Sequence, residues 1–294
     1  MADFLHSKLV VTGASGHLGR RVVELLAAKG ATNLIAATRT PDKLADLSGV
    51  EVRKADFSDP ASLDAAFAGA DRVLVISTDR IDVPGLRIQQ HKAAVEAAKR
   101  AGVKRILYTS MLNPDRSFIP FAPDHLETER AIEQSGLEFT ILRVSWYAEG
   151  LLGTLAAPLA TGKWHSAAGN GRISYVPRED VARAAAAALA SSGGANERLN
   201  ITGPELLTVP EIAKIASEVT GKPIEVVPVS DEELEKGLAA AGLPPFVIPI
   251  VAGTDRNIRA GNFDVESDAV QRLTGKPPQS VREFLTANRA ALPA

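Results

Sequence analysis

KLVVTGASGHLG, residues 8–19, is the stretch on which the fold turns. The apolar run 8–12 predicts a short buried strand, and 17–29 carries helical spacing, so the glycines lie in a tight strand-to-helix turn. Their G-x-x-G-x-x-G spacing divides the work physically. Gly13 permits the turn, Gly16 lets a pyrophosphate approach the backbone, and Gly19 lets helix and strand pack closely. The helix N-terminus offers unpaired N–H groups and a favourable dipole to phosphates, with Ser15, His17 and Leu18 in the same loop. The alternative reading is a Gly-rich turn with no ligand.

Outward from this loop, apolar runs recur at 33–39, 50–56, 72–77, 105–110 and 138–144. Helical periodicity separates them at 86–101 and 123–135, and Ser58-Asp59-Pro60 and Thr40-Pro41-Asp42 read as helix starts. Gly30, Gly69, Gly102 and Gly136 stand where helices should end. Continuous apolar strands alternating with helices predict an α/β fold, a doubly wound Rossmann-like parallel sheet covered on both faces.

Beyond residue 144 the alternation weakens. The segment 146–161 reads as helix interrupted by Gly153 and Pro158, then 173–177 and 179–191 as one more strand and helix, and 198–202 as a strand returning to the sheet. A capped helix at 208–220, an edge strand at 224–229 limited by Pro228, a charged helix at 231–241, a Pro-rich loop at 244–249 and a helix at 280–291 follow. The expected organisation is an NAD(P)-binding domain over 1–150, to which 171–203 returns, and a smaller, discontinuous C-terminal α/β region from 151–170 and 204–294 that binds substrate.

Twenty residues past Gly19, where an NAD-selective fingerprint places an acid on the ribose 2′-hydroxyl, the chain has Arg39. A guanidinium there offers fork-shaped donors to a 2′-phosphate, so NADP(H) is expected in preference to NAD(H), with Lys43 adding charge. The competing reading is a solvated surface arginine. Asp56 and Phe57 end the third strand, where a carboxylate could accept the adenine amino group and a ring could wall the base; Asp56 as a helix cap competes. Ser77 and Thr78 end the fourth strand and Thr109 and Ser110 the fifth, on the edge where the nicotinamide half should pass.

The 294 residues hold 33 Lys+Arg against 35 Asp+Glu, a net charge of −2, and no long run of like charge, so neither a nucleic-acid tract nor a membrane-surface patch is expected. No cysteine is present, which excludes disulfides and thiolate metal sites, and the five histidines form no pair at ligand spacing, so no metal site is expected. With neither a signal-peptide pattern at the start nor a membrane-length apolar run, a cytoplasmic protein is expected. No G-x-S-x-G elbow occurs, which argues against a serine hydrolase.

TGASGHLG, ATR, KADFSD, VLVIST and ILYTS together resemble the NmrA-like branch of atypical short-chain dehydrogenases/reductases. Where typical members carry Tyr-x-x-x-Lys on the helix after the fifth strand, this chain has His125-Leu-Glu-Thr-Glu129. The run from Pro123 to Tyr147, with the C-terminal LTVPEIAKIASEVTGKPI and GLPPFV segments, resembles the type 2 NAD(P)H:quinone oxidoreductases and, less closely, triphenylmethane dye reductases. Val144-Ser145 stands where the quinone reductases carry Asn-Gly. The resemblance implies a quinone or other aromatic small molecule as acceptor, and a homodimer. NmrA-like proteins also include non-catalytic cofactor sensors, which the missing Tyr/Lys pair fits equally.

Reducing a ketone to an alcohol needs a proton donor for the alkoxide, whereas hydride addition to a quinone yields a hydroquinone anion already stabilised by aromaticity. Trp146, Tyr147, Phe121 and Phe246 are candidates for an apolar wall stacking such an acceptor. His125 could donate a hydrogen bond to a quinone oxygen, with Glu129 one turn on holding the imidazole tautomer. The other reading of His125 and Glu129 is a surface i,i+4 pair.

Overall fold

The structure, a computed structural model, describes residues 5–191, 194 and 196–293. The first four residues of the expected dinucleotide domain, residues 192, 193 and 195 of the returning segment, and residue 294 lie outside the described residues. The main sheet has the strand order β3-β2-β1-β4-β5-β6-β8. These are β1 (Leu9–Val11), β2 (Leu34–Thr38), β3 (Glu51–Lys54), β4 (Arg72–Val75), β5 (Arg105–Met111), β6 (Glu138–Val144) and β8 (Glu197–Ile201). The connecting helices are α1 (His17–Ala28), α2 (Pro60–Phe67), α3 (Leu86–Arg100), α4 (Ala122–Gln134) and α7 (Arg178–Ala190). β1 pairs in parallel with both β2 and β4, with Val10 opposite Ile35 and Val73. Strand order therefore reverses beside β1, and the crevice beyond the carboxyl ends of β1 and β4 is the topological switch point. The fold is the expected doubly wound, Rossmann-like α/β sheet.

Burial explains why the strands were legible. Every residue of β1, β2, β4 and β5 is buried, whereas β3 at the sheet edge is half exposed. Val10, Ile35, Val73, Val75, Ile106 and Ile141 share one core with Phe57, Phe67, Ala94 and Ala98, which closes α2 and α3 over the sheet. Each apolar side chain of this size contributes roughly 1.5–3 kcal/mol when fully buried.

The chain divides into two compact units. The first comprises Met1–Met111, Pro123–Arg143 and Val181–Leu199, the second Leu112–Ala122, Val144–Asp180 and Asn200–Ala294. Residues 112–122 and 144–150, expected with the dinucleotide domain, thus group with the second unit, and the returning segment is 181–199. Within the second unit α5 (Gly150–Thr154) and α6 (Ala156–Thr161) precede β7 (Lys163–Ser166), which pairs in parallel with β9 (Glu225–Pro228). The strand expected at 173–177 is not one. Its backbone makes single bridges, Val176 to Tyr147 and Ile173 to Leu207, so it runs extended without a ladder.

α8 (Val209–Thr220), α9 (Asp231–Ala240), α10 (Ile248–Arg259), α11 (Ala269–Thr274) and α12 (Val281–Ala287) complete the unit. Capping boxes at Thr208/Glu211, Ser230/Glu233 and Ser280/Glu283 start three of them. The Pro-rich segment expected as a loop runs into α10, because Pro249 occupies its first turn, where a missing N–H costs nothing. No helix is long and apolar enough to cross a membrane among the described residues.

The tightest constraint near the crevice is Gly19. A Cβ built there would lie 2.4 Å from the Gly13 carbonyl oxygen and 2.9 Å from Ala14 Cα, both backbone atoms. We expect Gly19→Ala to lower stability by about 1–3 kcal/mol through overpacking, read as a fall in the thermal midpoint. An unchanged midpoint would show that loop and helix can separate at no cost.

Candidate functional site

The glycine loop sits at the switch point as the spacing predicted. Gly13 adopts φ +61°, a left-handed conformation that favours glycine, and its carbonyl accepts the Gly16 N–H at 2.9 Å. α1 has Gly16 as its N-cap, no side-chain cap and no acid in its first turn. This is the electrostatics an incoming phosphate requires. Thr12 Oγ1 donates to the Leu74 carbonyl at 3.0 Å and accepts the Ile76 N–H at 3.0 Å, tying β1 to the chain leaving β4.

Beside the loop, Ser15 Oγ lies 2.7 Å from Thr38 Oγ1 and accepts from Thr40 Oγ1 at 3.3 Å. Arg39 follows at the end of β2, 55% exposed, its guanidinium 3.9 Å from the Asp79 carboxylate. An exposed pair this loose contributes little, so the guanidinium is available to a stronger anion. Lys43 lies on the short 3₁₀ turn Pro41–Leu44.

Two expectations at the end of β3 need correction. Phe57 is 7% exposed and belongs to the hydrophobic core, so its ring is committed to packing and not to a bound base. Asp56 Oδ1 accepts the Ser58 N–H at 2.9 Å, while Asp59 caps α2 by accepting from Ala61 and Ser62. Asp56 thus takes part in the local turn, although α2's cap is its neighbour.

Past β4 the main chain is held by side chains. Ser77 N–H donates to Thr109 Oγ1 at 2.9 Å, and Thr78 N–H donates to His91 Nε2 at 3.0 Å. Arg87 Nε donates to the Thr78 carbonyl at 2.8 Å. Both polar groups of the Thr78 backbone are therefore clamped from α3. Arg87 Nη2 also donates to His125 Nε2 at 2.9 Å, which fixes that ring as the neutral Nδ1–H tautomer, and Nδ1–H points at Tyr108 Oη, 2.9 Å away. His91 is fixed likewise: Nε2 accepts, so Nδ1–H donates to Thr128 Oγ1 at 2.9 Å. Thr128 in turn donates to the Asp124 carbonyl at 2.6 Å.

Burial pushes His91 down to about 3 and His125 well below its ordinary value, with the Arg87 charge adding to both. His125 is thus no surface residue and no ready proton donor. It is 4% exposed, with both ring nitrogens bonded inside the first unit.

Glu129 does not orient His125 either. Its carboxylate accepts Ser110 Oγ at 2.6 Å and takes the Arg143 guanidinium in a fork, Nε at 3.0 Å and Nη2 at 2.6 Å. Arg198 approaches to 3.9 Å. Glu129 is buried to 1% exposure with a bidentate guanidinium facing it. Ser110's proton is committed to it, leaving that hydroxyl only acceptor lone pairs.

In the second unit Phe121 stacks on Trp146 at 6.5 Å between ring centroids, and Trp146 packs against Phe263 at 5.6 Å. Two of the four candidate wall residues, Phe121 and Trp146, are thus in mutual contact. Phe246 stands 56% exposed. Tyr147 lies under the Arg178 guanidinium, 5.1 Å from its ring centroid, and burial pushes its hydroxyl up to about 12. Tyr108 and Tyr175 are likewise pushed up by burial. The chain has three tyrosines, and none is tuned downward into an acid–base catalyst near neutrality. Among the described residues no cluster of three His, Asp or Glu side chains could hold a metal.

Arg87, Gln90, His91 and Tyr108 escaped the sequence reading. The signal was present as polar residues at 87, 90 and 91, on the helix face that also buries Ala94 and Ala98.

Comparison with known proteins places this architecture. Residues 13–192 match the profile of the NAD(P)H-binding family. Quinone oxidoreductase 2 of Escherichia coli K12 is 34% identical over 281 residues, 95% of this chain and 97% of that one. The crystal structure of an NADPH-dependent quinone oxidoreductase from Escherichia coli complexed with NADPH superposes with TM-score 0.89 at 33% identity, over 95% of this chain and 99% of that one. Triphenylmethane reductase of Citrobacter sp., complexed with NADP(H), gives TM-score 0.88 at 37% identity, over 97% and 100%.

Two buried neutral histidines make stability depend on pH with a definite sign. Their folded values lie below the 6.5 of the unfolded chain, so their contribution is complete above pH 6.5. It is lost as pH falls towards 3, at up to roughly 1.4 kcal/mol per pH unit for each ring. We expect the thermal midpoint to drop from pH 7 to about 5, and ring nitrogen shifts of both histidines to hold the Nδ1–H pattern until unfolding. Titration of either ring in the folded protein above pH 5 would contradict the assigned tautomers.

Proposed function

The chain belongs to the NAD(P)H-binding family, in the NmrA-like branch of the short-chain dehydrogenases/reductases, and from that premise we propose that it is an NADPH-dependent reductase of quinones. One observation carries the reading: the dinucleotide loop and Arg39 are in place, while the acid that alcohol–ketone chemistry needs is not. All three phenols are raised by burial, and Glu129 stands where the usual lysine would be. An acceptor whose reduced form is stabilised by its own aromaticity fits such a chain.

The residues present fit the dinucleotide. Gly19 keeps helix α1 against the loop, the uncapped helix start would hold the pyrophosphate, and Arg39 with Lys43 would hold the 2′-phosphate. When bound, the reduced nicotinamide supplies the hydride. Ser77, Thr78 and Thr109 form the strand-end surface for that half of the cofactor, and the Arg87–His91 clamp fixes it before binding, which lowers the ordering cost. Ser110, its proton held by Glu129, accepts from a ligand donor. The residues we assign to the acceptor lie within the second unit: Phe121 and Trp146, stacked on each other, and Tyr147, whose hydroxyl keeps its proton. A bulky aromatic dye is the second acceptor class this favours, given 37% identity to the Citrobacter triphenylmethane reductase.

The test follows loss of reduced-nicotinamide absorbance with a panel of quinones, using NADPH and NADH in parallel. Quinone-dependent oxidation preferring NADPH is expected; tight NADPH binding with no turnover on any quinone or dye would assign the chain to the sensors. Arg39→Asp should weaken NADPH by roughly 10- to 100-fold, from the loss of charge-assisted bonds and the added repulsion, and NADH far less. An unchanged ratio of the two affinities would remove Arg39 from the site.

A further inference from the structure

Among the described residues, one side-chain oxygen or nitrogen is both shut off from water and without a partner: Gln90 Oε1, on an amide whose nitrogen donates to Ser58 Oγ at 2.9 Å. An unbonded polar atom on any other buried residue must therefore reach solvent. Tyr175 Oη is such an atom. It bonds to no described residue, although the ring that carries it is packed away and the residue is only 7% exposed. A buried tyrosine ordinarily finds a partner for its hydroxyl.

The backbone beneath it is fixed inside the second unit. Ile173 exchanges both main-chain bonds with Leu207, at 2.9 and 3.0 Å, and Val176 N–H donates to the Trp146 carbonyl at 3.0 Å. Gly203 lies so close that a Cβ on it would stand 2.0 Å from the Tyr175 carbonyl oxygen. Tyr147 bridges in parallel to Val176, so one residue back Trp146 stands opposite Tyr175. Residues opposite each other in a parallel pair leave on the same face. Both rings also pack into one apolar cluster, and Phe121 stacks on Trp146. The wet, unbonded hydroxyl is thus carried beside the aromatic pair assigned to the acceptor.

We propose that Tyr175 is an acceptor-binding residue whose hydroxyl donates a hydrogen bond to a carbonyl oxygen of the quinone. The inference rests on the reductase reading above and deepens it, because it separates the two acceptor classes. As hydride and its electron pair enter the quinone, NADPH becomes NADP+ and negative charge gathers on the carbonyl oxygen, where a fixed donor is worth most. Water then supplies the proton. Burial, and after it the Asp255 carboxylate, push the phenol upward, so Tyr175 keeps its own proton and serves as a donor only. A triarylmethane cation takes hydride at carbon and offers this hydroxyl no carbonyl oxygen.

The experiment compares the unaltered protein with Tyr175→Phe, which keeps the ring and removes one oxygen. Menadione-dependent oxidation of NADPH is measured beside reduction of malachite green. Menadione affinity is read by quenching of tryptophan emission with NADP+ present, and NADPH affinity by nicotinamide fluorescence. In the variant, kcat/KM for menadione should fall roughly ten- to a hundred-fold, the range that one donor to a developing oxyanion commands, and menadione binding should weaken with it. NADPH affinity and any turnover of the dye should stay within about two-fold, and the thermal midpoint should hold or rise, since the hydroxyl bonds nothing in the free chain. Menadione turnover and binding that survive in the variant overturn the assignment and leave the hydroxyl merely wetted. A fall shared by menadione, dye and NADPH, joined to a lowered midpoint, also overturns it and makes Tyr175 a structural residue. An unaltered protein that binds menadione without reducing it defeats the reductase reading, a different failure, and the binding comparison still decides Tyr175.

Discussion

The approach of helix α1 to the Gly13–Ala14 backbone governs what surrounds it. Gly19 has no room for a Cβ, because the Gly13 carbonyl would be 2.4 Å away. With that contact made, the helix start comes close enough for its unbonded N–H groups to line the crevice between β1 and β4. The same carbonyl accepts the Gly16 N–H, and Thr12 bridges to Leu74 and Ile76, so loop, helix and neighbouring strand are locked by one short stretch of chain. A larger residue at position 19 would push the amides at the helix start out of line along with the helix.

The fold was legible because the informative residues act locally. Buried parallel strands must be apolar throughout, and helix ends must be capped, so 8–12, 33–39 and 105–110 and the glycines after the helices announced themselves. Segments that failed were those where tertiary context overrode local appearance. β7 is four residues of alternating burial with no apolar run. α10 begins at a proline that looked like a break but is harmless in a first turn. Residues 173–177 are apolar and extended, yet find single bridges in place of a ladder.

The site divided along the same line. Gly13, Gly16, Gly19 and Arg39 are placed by backbone geometry, which short motifs encode. His125 and Glu129 were read as an i,i+4 pair because they share a helix, but their partners come from other elements: Arg87 on α3, Tyr108 and Ser110 on β5, Arg143 on β6. Side chains with satisfied long-range partners have no reason to turn to each other. Periodicity can tell that a polar residue faces inward; it cannot name what it meets there. Gln90, inward-facing and half satisfied, is the extreme case.

What the interior does with its charges also narrows the chemistry. In enzymes that interconvert alcohols and ketones, a nearby cation must lower a phenol's pKa so that it can exchange a proton near neutrality. Here the position four residues beyond His125 carries an anion, and that anion is neutralised at once by the Arg143 fork and the Ser110 hydroxyl. Arg87, the cation beside Tyr108, is spent on Thr78 and His125, and burial outweighs its pull, so the phenol still moves upward. Nothing in this arrangement prepares a proton for an alkoxide. Much of it holds backbone still: the Thr78 peptide from both sides, Ser77 through Thr109, the loop through Thr12. A protein built this way prepares no proton of its own, and it suits an acceptor that can carry the incoming electron pair unaided until water supplies the proton.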